Sequence, residues 1–546
     1  MAEGVDGEQI FLPHSVRRSV DSCLQELDKM RFVERIWQYD ETLWNDNQAE
    51  TRQRLGWLHA PETMLHSEES WTSLRDDIAA AGFDDAVLLG MGGSSLGAEV
   101  LNQTIGRTQG QPRLHVLDST VPETVAAITR AIEPDKTLFL VSSKSGSTVE
   151  PNLLYDHFRA VVASAVGERE AGRHFIAITD PGSSLEKLAA EQRFRRIFLN
   201  PANIGGRYSV LSLFGLVPGA VLGIDNRRLL EEAGKMHGYC RDASSPSVNP
   251  GIALAAYMVG CQRVGRDKMT LIASPRASAF GLWAEQLVAE STGKQGTGII
   301  PVMGEPYLSV ESYSTDRAFV YLRLDGDDCR ASDKQANAIE DEGFPCLTLS
   351  LPNPYAIGDE FFRWEFATAA AGALLDINPF DQPDVQSAKD ASVRVLKYDA
   401  IHGALPALPE TLPPAELVES ITAGTYLAVM AYLRQTEGTD AVFEEFRRRI
   451  GEQHCICTTL GYGPRFLHST GQLHKGGPDS GVFLQIVTRH PQDDPIPGHP
   501  YAFSTVADAQ ALGDLEALHS IGRSVARITL SDDSEDTLRA ALETLL

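Results

Sequence analysis

The chain has 546 residues, a formal net charge of −26 and a pI near 4.9. This length predicts roughly two to four packed units. The acidic balance would repel the phosphates of nucleic acid, so we expect no nucleic-acid partner. The sequence has neither an apolar run long enough for a membrane span nor a signal peptide pattern, so we expect no membrane partner and a cytoplasmic location.

The first 80 residues predict helices. Apolar residues recur at helical spacing over Val16–Phe32, Glu50–Leu58 and Ser70–Ala80. Roughly the first ten residues have the composition of a loose tail. We therefore expect an N-terminal helical segment over residues 1–80.

Short apolar strands alternate with helices from Asp84 onwards. The strands DAVLLG, LHVLDS, TLFLVSS, HFIAIT and RIFLN predict a parallel sheet covered on both faces, over residues 81–225. Residues 226–265 predict a helical connector. A second alternation, from KMTLIAS through PCLTLSL and a following helix, predicts a second α/β domain over residues 266–400.

The proline-rich stretch GALPALPETLPP (403–414) predicts a boundary. Beyond it we expect helices at Ala415–Arg434 and Thr439–Gly451, and strands at CICTTL, VFLQIV and ARITLS. These elements predict a third α/β unit over residues 415–546. The predicted fold class is therefore α/β with parallel sheets.

Seven cysteines are scattered along the chain, and only Cys455 and Cys457 lie close together. One residue separates them, which is the wrong spacing for a redox or zinc CxxC pair, and strand alternation would send both to one face. We expect every cysteine to be a structural thiol.

A glycine-rich turn, Gly90–Gly97, follows the strand DAVLLG and opens a helix. Glycines let the backbone approach a ligand and a helix N-terminus offers N–H groups to an anion, so Gly93 and Ser94 are candidate binding residues. A dinucleotide site is the rival interpretation. Ser95 stands where the third glycine of GxGxxG belongs, which weakens that rival, while Asp118 at the end of the next strand keeps it open.

A second turn, Ser142–Glu150, joins the strand TLFLV to a helix and carries five hydroxyl groups. Hydroxyl and backbone N–H groups together can surround phosphate oxygens without a metal ion. Ser143, Lys144, Ser145 and Thr148 are therefore candidate phosphate ligands. A serine-rich helix cap is the alternative, but a cap needs only one hydroxyl group.

The segments GGSSLG and SSKSGSTVE resemble the paired sugar isomerase (SIS) domains and, more narrowly, the phosphoglucose isomerase family. Three further segments resemble that family in the same order: NIGGRYS (203–209), QLVAESTGK (286–294) and FDQPDVQSAK (380–389), the last with Asp384 in place of a glycine. The resemblance covers about residues 85–390. It implies two SIS-type doubly wound domains of three αβα layers, with the N-terminal helical segment and an additional C-terminal α/β unit.

The resemblance implies aldose–ketose isomerisation of glucose-6-phosphate through an enediol, without a cofactor or a metal. Glu290 would be the base, Arg207 would stabilise charge on the enediolate oxygens, and Lys389 would act near the ring oxygen. Gln286 and Gln382 would hydrogen-bond to substrate oxygens. Without the resemblance, Glu290 and Lys389 have the ordinary character of surface residues.

The chain departs from the family pattern in one respect, the catalytic histidine that usually follows the glutamate. No histidine occurs between Glu290 and Gln382. His468 and His474 lie in a glycine-rich segment after CICTTL, where α/β sheets place ligand loops. Our hypothesis is that one of them supplies the ring-opening acid/base group, from the third unit or from a neighbouring subunit. Anion binding or a structural role is the alternative.

Three rival functions have different requirements. A non-catalytic SIS protein that senses a sugar phosphate would have no reason to combine Glu290, Arg207 and Lys389. An amidotransferase-type isomerase needs a nucleophilic N-terminal cysteine, which the sequence does not supply. A metal-dependent isomerase needs ligands near the other motifs, whereas the two HxxE segments, at 59–62 and 66–69, lie in the N-terminal segment.

The finer expectations concern substrate and partners. A related sugar phosphate such as mannose-6-phosphate is an alternative substrate. The resemblance implies a homodimer and is closest to the isomerase half of fused transaldolase/glucose-6-phosphate isomerases. We expect the transaldolase half to be absent, because too few residues precede the first motif.

Overall fold

Three β-sheets flanked by helices organise the chain in a computed structural model, which describes residues 8–44, 51–245, 248–490 and 493–546. The strands are β1 (Glu8–Phe11), β2 (Asp85–Gly90), β3 (Arg113–Leu117), β4 (Thr137–Ser142), β5 (Phe175–Thr179), β6 (Arg196–Leu199), β7 (Lys268–Ala273), β8 (Ile300–Val302), β9 (Arg317–Leu324), β10 (Cys346–Leu351), β11 (Tyr426–Tyr432), β12 (Cys457–Tyr462), β13 (Gly481–Thr488) and β14 (Ser524–Leu530). The α-helices are His14–Lys29, Phe32–Trp37, Ala60–Thr63, Glu68–Ala81, Leu96–Thr104, Pro122–Ala131, Val149–Val166, Glu168–Ala171, Ser184–Glu191, Leu213–Val221, Asn226–Arg241, Pro250–Arg263, Phe280–Thr292, Arg330–Asp341, Ile357–Leu374, Gln386–His402, Pro414–Glu419, Glu437–His454, Gly471–Gly476, Phe503–Ser520 and Glu535–Glu543. The predicted α/β class with parallel sheets is confirmed.

The first sheet has the order β3-β2-β4-β5-β6, and each strand is parallel to its neighbours. β2 and β4 are buried along their whole length, as parallel strands with helices on both faces require. The chain leaves β2 for β3 on one side and returns to β4 on the other, which makes a topological switch point. The register pairs Gly90 with Ser142 there, so the two predicted ligand turns lie side by side.

The second sheet has the order β1-β10-β9-β7-β8 and is parallel except for β1. The expectation of a loose tail is wrong for Glu8–Phe11, because this segment pairs antiparallel with β10 and completes the edge of the sheet. The predicted helix Glu50–Leu58 is also wrong at its C-terminal end, where Gly56–His59 is a 3-10 turn. Leu55 instead forms a β-bridge with Ile204, and Glu50 lies outside the described residues.

Helices from the N-terminal and connecting segments share one core with the second sheet. Pro250–Arg263 contacts His14–Lys29 and Ile357–Leu374, and Asn226–Arg241 also packs along Ile357–Leu374. Ile357–Leu374 is buried at nearly every position. The largest apolar cluster runs from these helices into the first sheet, so the N-terminal segment is built into the fold rather than appended to it.

The third sheet, β12-β11-β13-β14, is fully parallel. The helix predicted at Ala415–Arg434 is wrong over most of its length. Only Pro414–Glu419 is helical, and Tyr426–Tyr432 is the fully buried strand β11. A buried strand shows no alternation, so a short apolar run such as TYLAVMAYL cannot be separated from a buried helix by periodicity alone. The second predicted helix is present as Glu437–His454.

The helix Gln386–His402 joins the second and third units. It lies in the predicted second domain, yet it packs along Phe503–Ser520 of the third unit. The approach is close, because a Cβ on Gly513 would lie 2.5 Å from the hydroxyl oxygen of Ser392. This packing carries Lys389 towards residues of the third unit.

Cys455 and Cys457 do not share a strand face. Cys455 ends the helix Glu437–His454 with a left-handed backbone conformation and is exposed, whereas Cys457 is buried in β12. The strand begins two residues later than predicted, so the alternation argument does not apply to this pair.

Candidate active site

Two backbone turns touch at the edge of the first sheet. The turn Gly92–Ser94 follows β2, and the turn Gly206–Tyr208 follows β6. A Cβ on Gly93 would lie 2.0 Å from the carbonyl oxygen of Gly206, so Gly93 is required for this contact. Ser94 is held from the other side, where its carbonyl oxygen accepts a hydrogen bond from Ser142 Oγ at 2.9 Å. The contact fixes the glycine-rich turn against the segment that carries Arg207.

The hydroxyl-rich loop between β4 and the helix Val149–Val166 is organised by its own side chains. Ser143 Oγ donates to Thr148 Oγ1 at 3.3 Å and accepts from the backbone N–H of Gly146 at 3.2 Å. Ser145 and Ser147 hydroxyls lie 2.8 Å apart. Thr148 is the N-cap residue, yet its side chain makes no capping hydrogen bond. Capping therefore does not account for Thr148, whose hydroxyl proton remains available to a ligand.

Lys144 points away from that loop. Its ammonium group is paired with Asp180 and donates to the carbonyl oxygen of Ala202 at 3.0 Å. Lys144 is not brought to the other predicted phosphate ligands, because Asp180 at the end of β5 supplies a nearer anionic partner. Its predicted phosphate contact would require breaking this ion pair.

Arg207 is buried and bonded on every side. Its Nε donates to Ser291 Oγ at 2.9 Å, and its Nη2 donates to the carbonyl oxygens of Pro379 and Asp381 at 3.0 and 2.6 Å. Its Nη1 donates to Glu290 Oε2 at 3.1 Å and to Gln382 Oε1 at 3.0 Å. The guanidinium group thus connects three of the motifs singled out in the sequence.

Glu290 lies in the helix Phe280–Thr292 and is 5% exposed. Burial raises the pKa of Glu290 above its ordinary value, against the lowering effect of the nearby cations Arg207, His468 and Lys389. A buried carboxylate with a raised pKa is a stronger base than one in water. The electrostatic setting is therefore suited to proton abstraction.

Gln286 lies one helical turn before Glu290 and is also buried. Its Nε2 donates to the carbonyl oxygen of His468 at 2.6 Å, while its Oε1 has no partner among the described residues. A buried amide oxygen without a partner is costly, and a substrate hydroxyl group would satisfy it.

His468 meets a buried carboxylate of the first unit. Its Nε2 lies 3.0 Å from Glu150 Oε1, which also accepts from Gln510 Nε2 at 2.7 Å. Gln510 Oε1 in turn accepts from Thr120 Oγ1 at 2.6 Å. Burial alone would raise the pKa of Glu150, but the charge and hydrogen bond of His468, a backbone hydrogen bond and the charge of Lys389 together lower it.

His474 is placed elsewhere. Its ring is buried against Phe466 and Phe483, and its Nδ1 has no partner among the described residues. Burial, together with Lys475 and Arg523, lowers the pKa of His474 well below its ordinary value. The structure therefore separates the two candidate histidines, because His468 lines one cavity with Ser145, Thr148 and Lys389, and His474 does not line it.

A cavity of about 280 Å³ opens where the hydroxyl loop faces the third unit. Its polar lining includes Ser145, Thr148, Glu150, Lys389 and His468. Lys389 is exposed to this space and lies close enough to lower the pKa of both Glu150 and Glu290, although burial is the larger influence on each. The described residues thus form a polar cavity beside Glu290 that contains both cations and hydroxyl donors.

A larger cleft of about 840 Å³ lies on another side of the helix Phe280–Thr292. Glu285, Asp118 and Arg465 are among its lining residues, and none of the predicted site residues lines it. Burial raises the pKa of Glu285 to about 7. The positions of the predicted site residues, and not the size of the cleft, therefore identify the candidate active site.

Sequence reasoning gave no role to Glu150, Gln510 or Lys294. Lys294 is buried and donates to the carbonyl oxygens of Asn378 and Asp381, bracing the segment that also binds Arg207. Burial, followed by the charge of Arg207, lowers the pKa of Lys294 to about 8. Glu150 and Lys294 are the last residues of the motifs SSKSGSTVE and QLVAESTGK. Gln510 lies in the helix Phe503–Ser520, where no sequence motif indicates a functional residue.

None of the helices in the described part of the chain is long and apolar enough to cross a membrane. Residues 73–298 match the phosphoglucose isomerase family. The chain is 27% identical to a glucose-6-phosphate isomerase of Carboxydothermus hydrogenoformans over 456 residues, which covers 72% of this chain and 95% of the relative. It is 29% identical to one of Parabacteroides distasonis over 396 residues, covering 64% and 88%.

Among solved structures, a glucose-6-phosphate isomerase from Chlamydia trachomatis superposes with a TM-score of 0.60 over 74% of this chain and 90% of that chain. At 20% sequence identity, this likeness shows the fold alone. The matched residues 73–298 include four of the five motifs and end before the fifth, at 380–389. The family match and the relatives therefore place residues 73–298 of this chain in the phosphoglucose isomerase family.

Proposed function

We propose that this protein catalyses the reversible isomerisation of glucose-6-phosphate and fructose-6-phosphate through an enediolate. The family match and the names of the sequence relatives support the reaction. The observation that carries its assignment to this site is the convergence of Glu290, Arg207 and Gln382 from three motifs within hydrogen-bond distance.

Glu290 is the base in this proposal. Its carboxylate takes the proton from C2 of the open-chain aldose, and the electron pair left behind forms the C1–C2 double bond of the enediolate. In the same step the electron pair of the C1 carbonyl bond moves onto O1, and a proton then passes from O2 to O1. As the C2–O2 double bond forms, the electron pair of the C1–C2 double bond takes the proton back from the carboxylic acid at C1, which gives the ketose. Its burial supports this role, because a carboxylate removed from water holds a proton more readily.

Arg207 stabilises the enediolate in this proposal. A permanent cation held by Ser291 and two backbone carbonyl groups does not need to reorganise when negative charge develops on O1 and O2. Gln286, with its unpartnered Oε1, and Gln382 would orient the substrate hydroxyl groups.

Ring opening is assigned to His468. Its proximity to Glu150 supports this choice, because a buried carboxylate fixes the orientation of an imidazole. Lys389, which lines the same cavity, would donate to the ring oxygen. His474 has no part in the proposal.

The phosphate group would bind at the hydroxyl loop. Ser145 and Thr148 line the cavity, Ser143 supports Thr148, and the helix Val149–Val166 directs its N-terminus towards this loop. Lys144 would join only after leaving Asp180. The homodimer and the cytoplasmic location remain proposals that rest on the family resemblance.

A coupled assay tests the function. Fructose-6-phosphate is supplied, and the glucose-6-phosphate formed is oxidised by its dehydrogenase with reduction of NADP⁺. We expect turnover by the wild-type protein and none above background by Glu290→Gln. If wild-type and variant give the same rate, the proposed function at this site is wrong.

A further inference from the structure

Two imidazoles and a carboxylate lie close together outside the proposed active site, where the N-terminal segment contacts the helix Asn226–Arg241. His59 ends the 3-10 turn Gly56–His59, and Glu62 follows in the short helix Ala60–Thr63. His237 comes from Asn226–Arg241. One possible ligand atom from each of the three lies within 4.8 Å of the others. We call this set the His59 cluster.

The separations within the His59 cluster are too long for good hydrogen bonds. His59 Nδ1 lies 3.5 Å from one Glu62 oxygen, and His237 Nδ1 lies 3.9 Å from the other. Ligand atoms of tetrahedral zinc are about 3.3 Å apart, given metal–ligand distances of about 2.0 Å. A small closing movement would therefore bring all three groups to ligand distance.

His237 gives an independent indication of a missing partner. Its side chain is 95% buried. Its Nδ1 faces Glu62 at 3.9 Å, beyond hydrogen-bond distance, and its Nε2 has no hydrogen-bond partner among the described residues. The ring is enclosed by Trp37 and Phe362. An imidazole nitrogen that makes no hydrogen bond can offer its lone pair to a metal ion.

We propose that the His59 cluster binds a divalent transition metal ion of the zinc type, with water as the fourth ligand. Two imidazoles and one carboxylate suit zinc and disfavour magnesium and calcium, which prefer oxygen ligands. The Glu62 carboxylate offsets part of the ion's charge.

The ion would stabilise the segment that packs against the turn Gly206–Tyr208, which carries Arg207. Trp57, two residues before His59, stacks on Tyr208 with ring centres 5.2 Å apart. The backbone N–H of Gly56 donates to the carbonyl oxygen of Asn203 at 2.9 Å. A metal ion that joins His59 to Asn226–Arg241 would restrain this turn and raise the stability of the fold. The proposal does not depend on isomerase activity, and the ion has no role in the reaction.

The test is calorimetric titration of metal-stripped full-length protein with ZnCl₂, followed by thermal unfolding with and without the ion. We expect about one high-affinity site per chain and a higher unfolding midpoint with zinc. His59→Asn and Glu62→Gln, both at partly exposed positions, should each weaken binding at least about tenfold and remove the stabilisation. MgCl₂ should have no comparable effect.

His66→Asn is the matched control, because His66 and Glu69 form the other HxxE segment and both are exposed. This variant should bind zinc as the wild type does. If His237→Ala folds, it adds a third measurement of zinc binding. If it does not fold, His59→Asn and Glu62→Gln are sufficient for the test. The proposal is wrong if the wild type does not bind zinc. It is also wrong if His59→Asn and Glu62→Gln both bind zinc as the wild type does.

Discussion

His468 and Glu150 are 318 positions apart in the chain, and their side chains meet at 3.0 Å. The histidine comes from the third unit and the carboxylate from the first, so the contact exists only when these two units are assembled. Gln510 of the third unit bonds to the same carboxylate oxygen and holds it in place. The structure therefore brings an oriented imidazole to the first unit's ligand loop within a single chain.

The first prediction separates the two histidines. His468→Asn should lower kcat for cyclic glucose-6-phosphate by about 100-fold, because the ring-opening acid/base group is lost. A short aldose phosphate that cannot close a pyranose ring should be isomerised at nearly the wild-type rate. The two rates are measured side by side under saturating substrate.

His474→Asn is the comparison for that experiment. It should leave both rates nearly unchanged and destabilise the protein by about 1–3 kcal/mol, because it puts a polar amide among Phe466 and Phe483. Loss of turnover in His474→Asn, with normal turnover in His468→Asn, would reverse the assignment.

The second prediction concerns pH. Glu290 must be ionised to accept a proton, so activity is lost as the pH falls through its pKa. Lys389 is one of the cations that hold this pKa down against the effect of burial. Lys389→Met should therefore move the acidic limb of the kcat/KM profile to higher pH.

Lys397→Met is the control, because Lys397 lies on the same helix and does not line the cavity. Its profile should match that of the wild type. A profile of Lys389→Met that keeps its acidic limb in place would show that Lys389 does not act on Glu290.

The third prediction tests the contact between the two turns. Gly93→Ala would put a methyl group 2.0 Å from the carbonyl oxygen of Gly206 and should displace the segment that carries Arg207. We expect a loss of stability of about 1–3 kcal/mol and a fall in kcat. Gly206→Ala has open space around its Cβ and should be far less destabilising. Chemical denaturation of both variants gives the comparison, and equal stability losses would contradict it.

Much of the fold is contained in local sequence patterns. Strands such as DAVLLG and TLFLVSS are short apolar runs that end in ligand-type turns, and their parallel pairing follows from the intervening helices. The strand at Tyr426–Tyr432 was missed because complete burial removes the alternation that identifies strands. The edge strand Glu8–Phe11 is too short to be recognised without its partner β10.

The candidate site was likewise predictable in part from local sequence patterns. Glu290, Arg207 and Gln382 were predictable from motifs, and the structure brings them together. The partner of His468 was not predictable, because an acidic residue in the first turn of a helix is ordinarily explained by the helix dipole. Likewise, nothing local in the sequence indicates that Asp180 takes the charge of Lys144. Such pairings depend on tertiary contacts between distant segments.

The last prediction concerns a second contact between the first and third units. His490 Nδ1 lies 2.9 Å from Glu123, and both side chains are largely buried. Burial would lower the pKa of His490, but the hydrogen bond and charge of Glu123, with Asp508 and Asp493 nearby, raise it. A histidine whose pKa is raised by folding stabilises the fold below its unfolded pKa, and this contribution is lost as the pH rises through the folded pKa.

The free energy of unfolding of His490→Asn should therefore fall furthest below that of the wild type at about pH 6, and the difference should shrink towards about pH 9. His499→Asn is the matched control, because His499 also reaches the first unit, through Asp156, but both side chains of this pair are more exposed, at 28% and 37%. Solvent screening should make its effect on stability small at either pH. Denaturant titrations of the three proteins at both pH values measure the differences. A deficit of His490→Asn that grows with pH would mean that the imidazole is neutral in the folded protein and that its contact with Glu123 is not a charged pair.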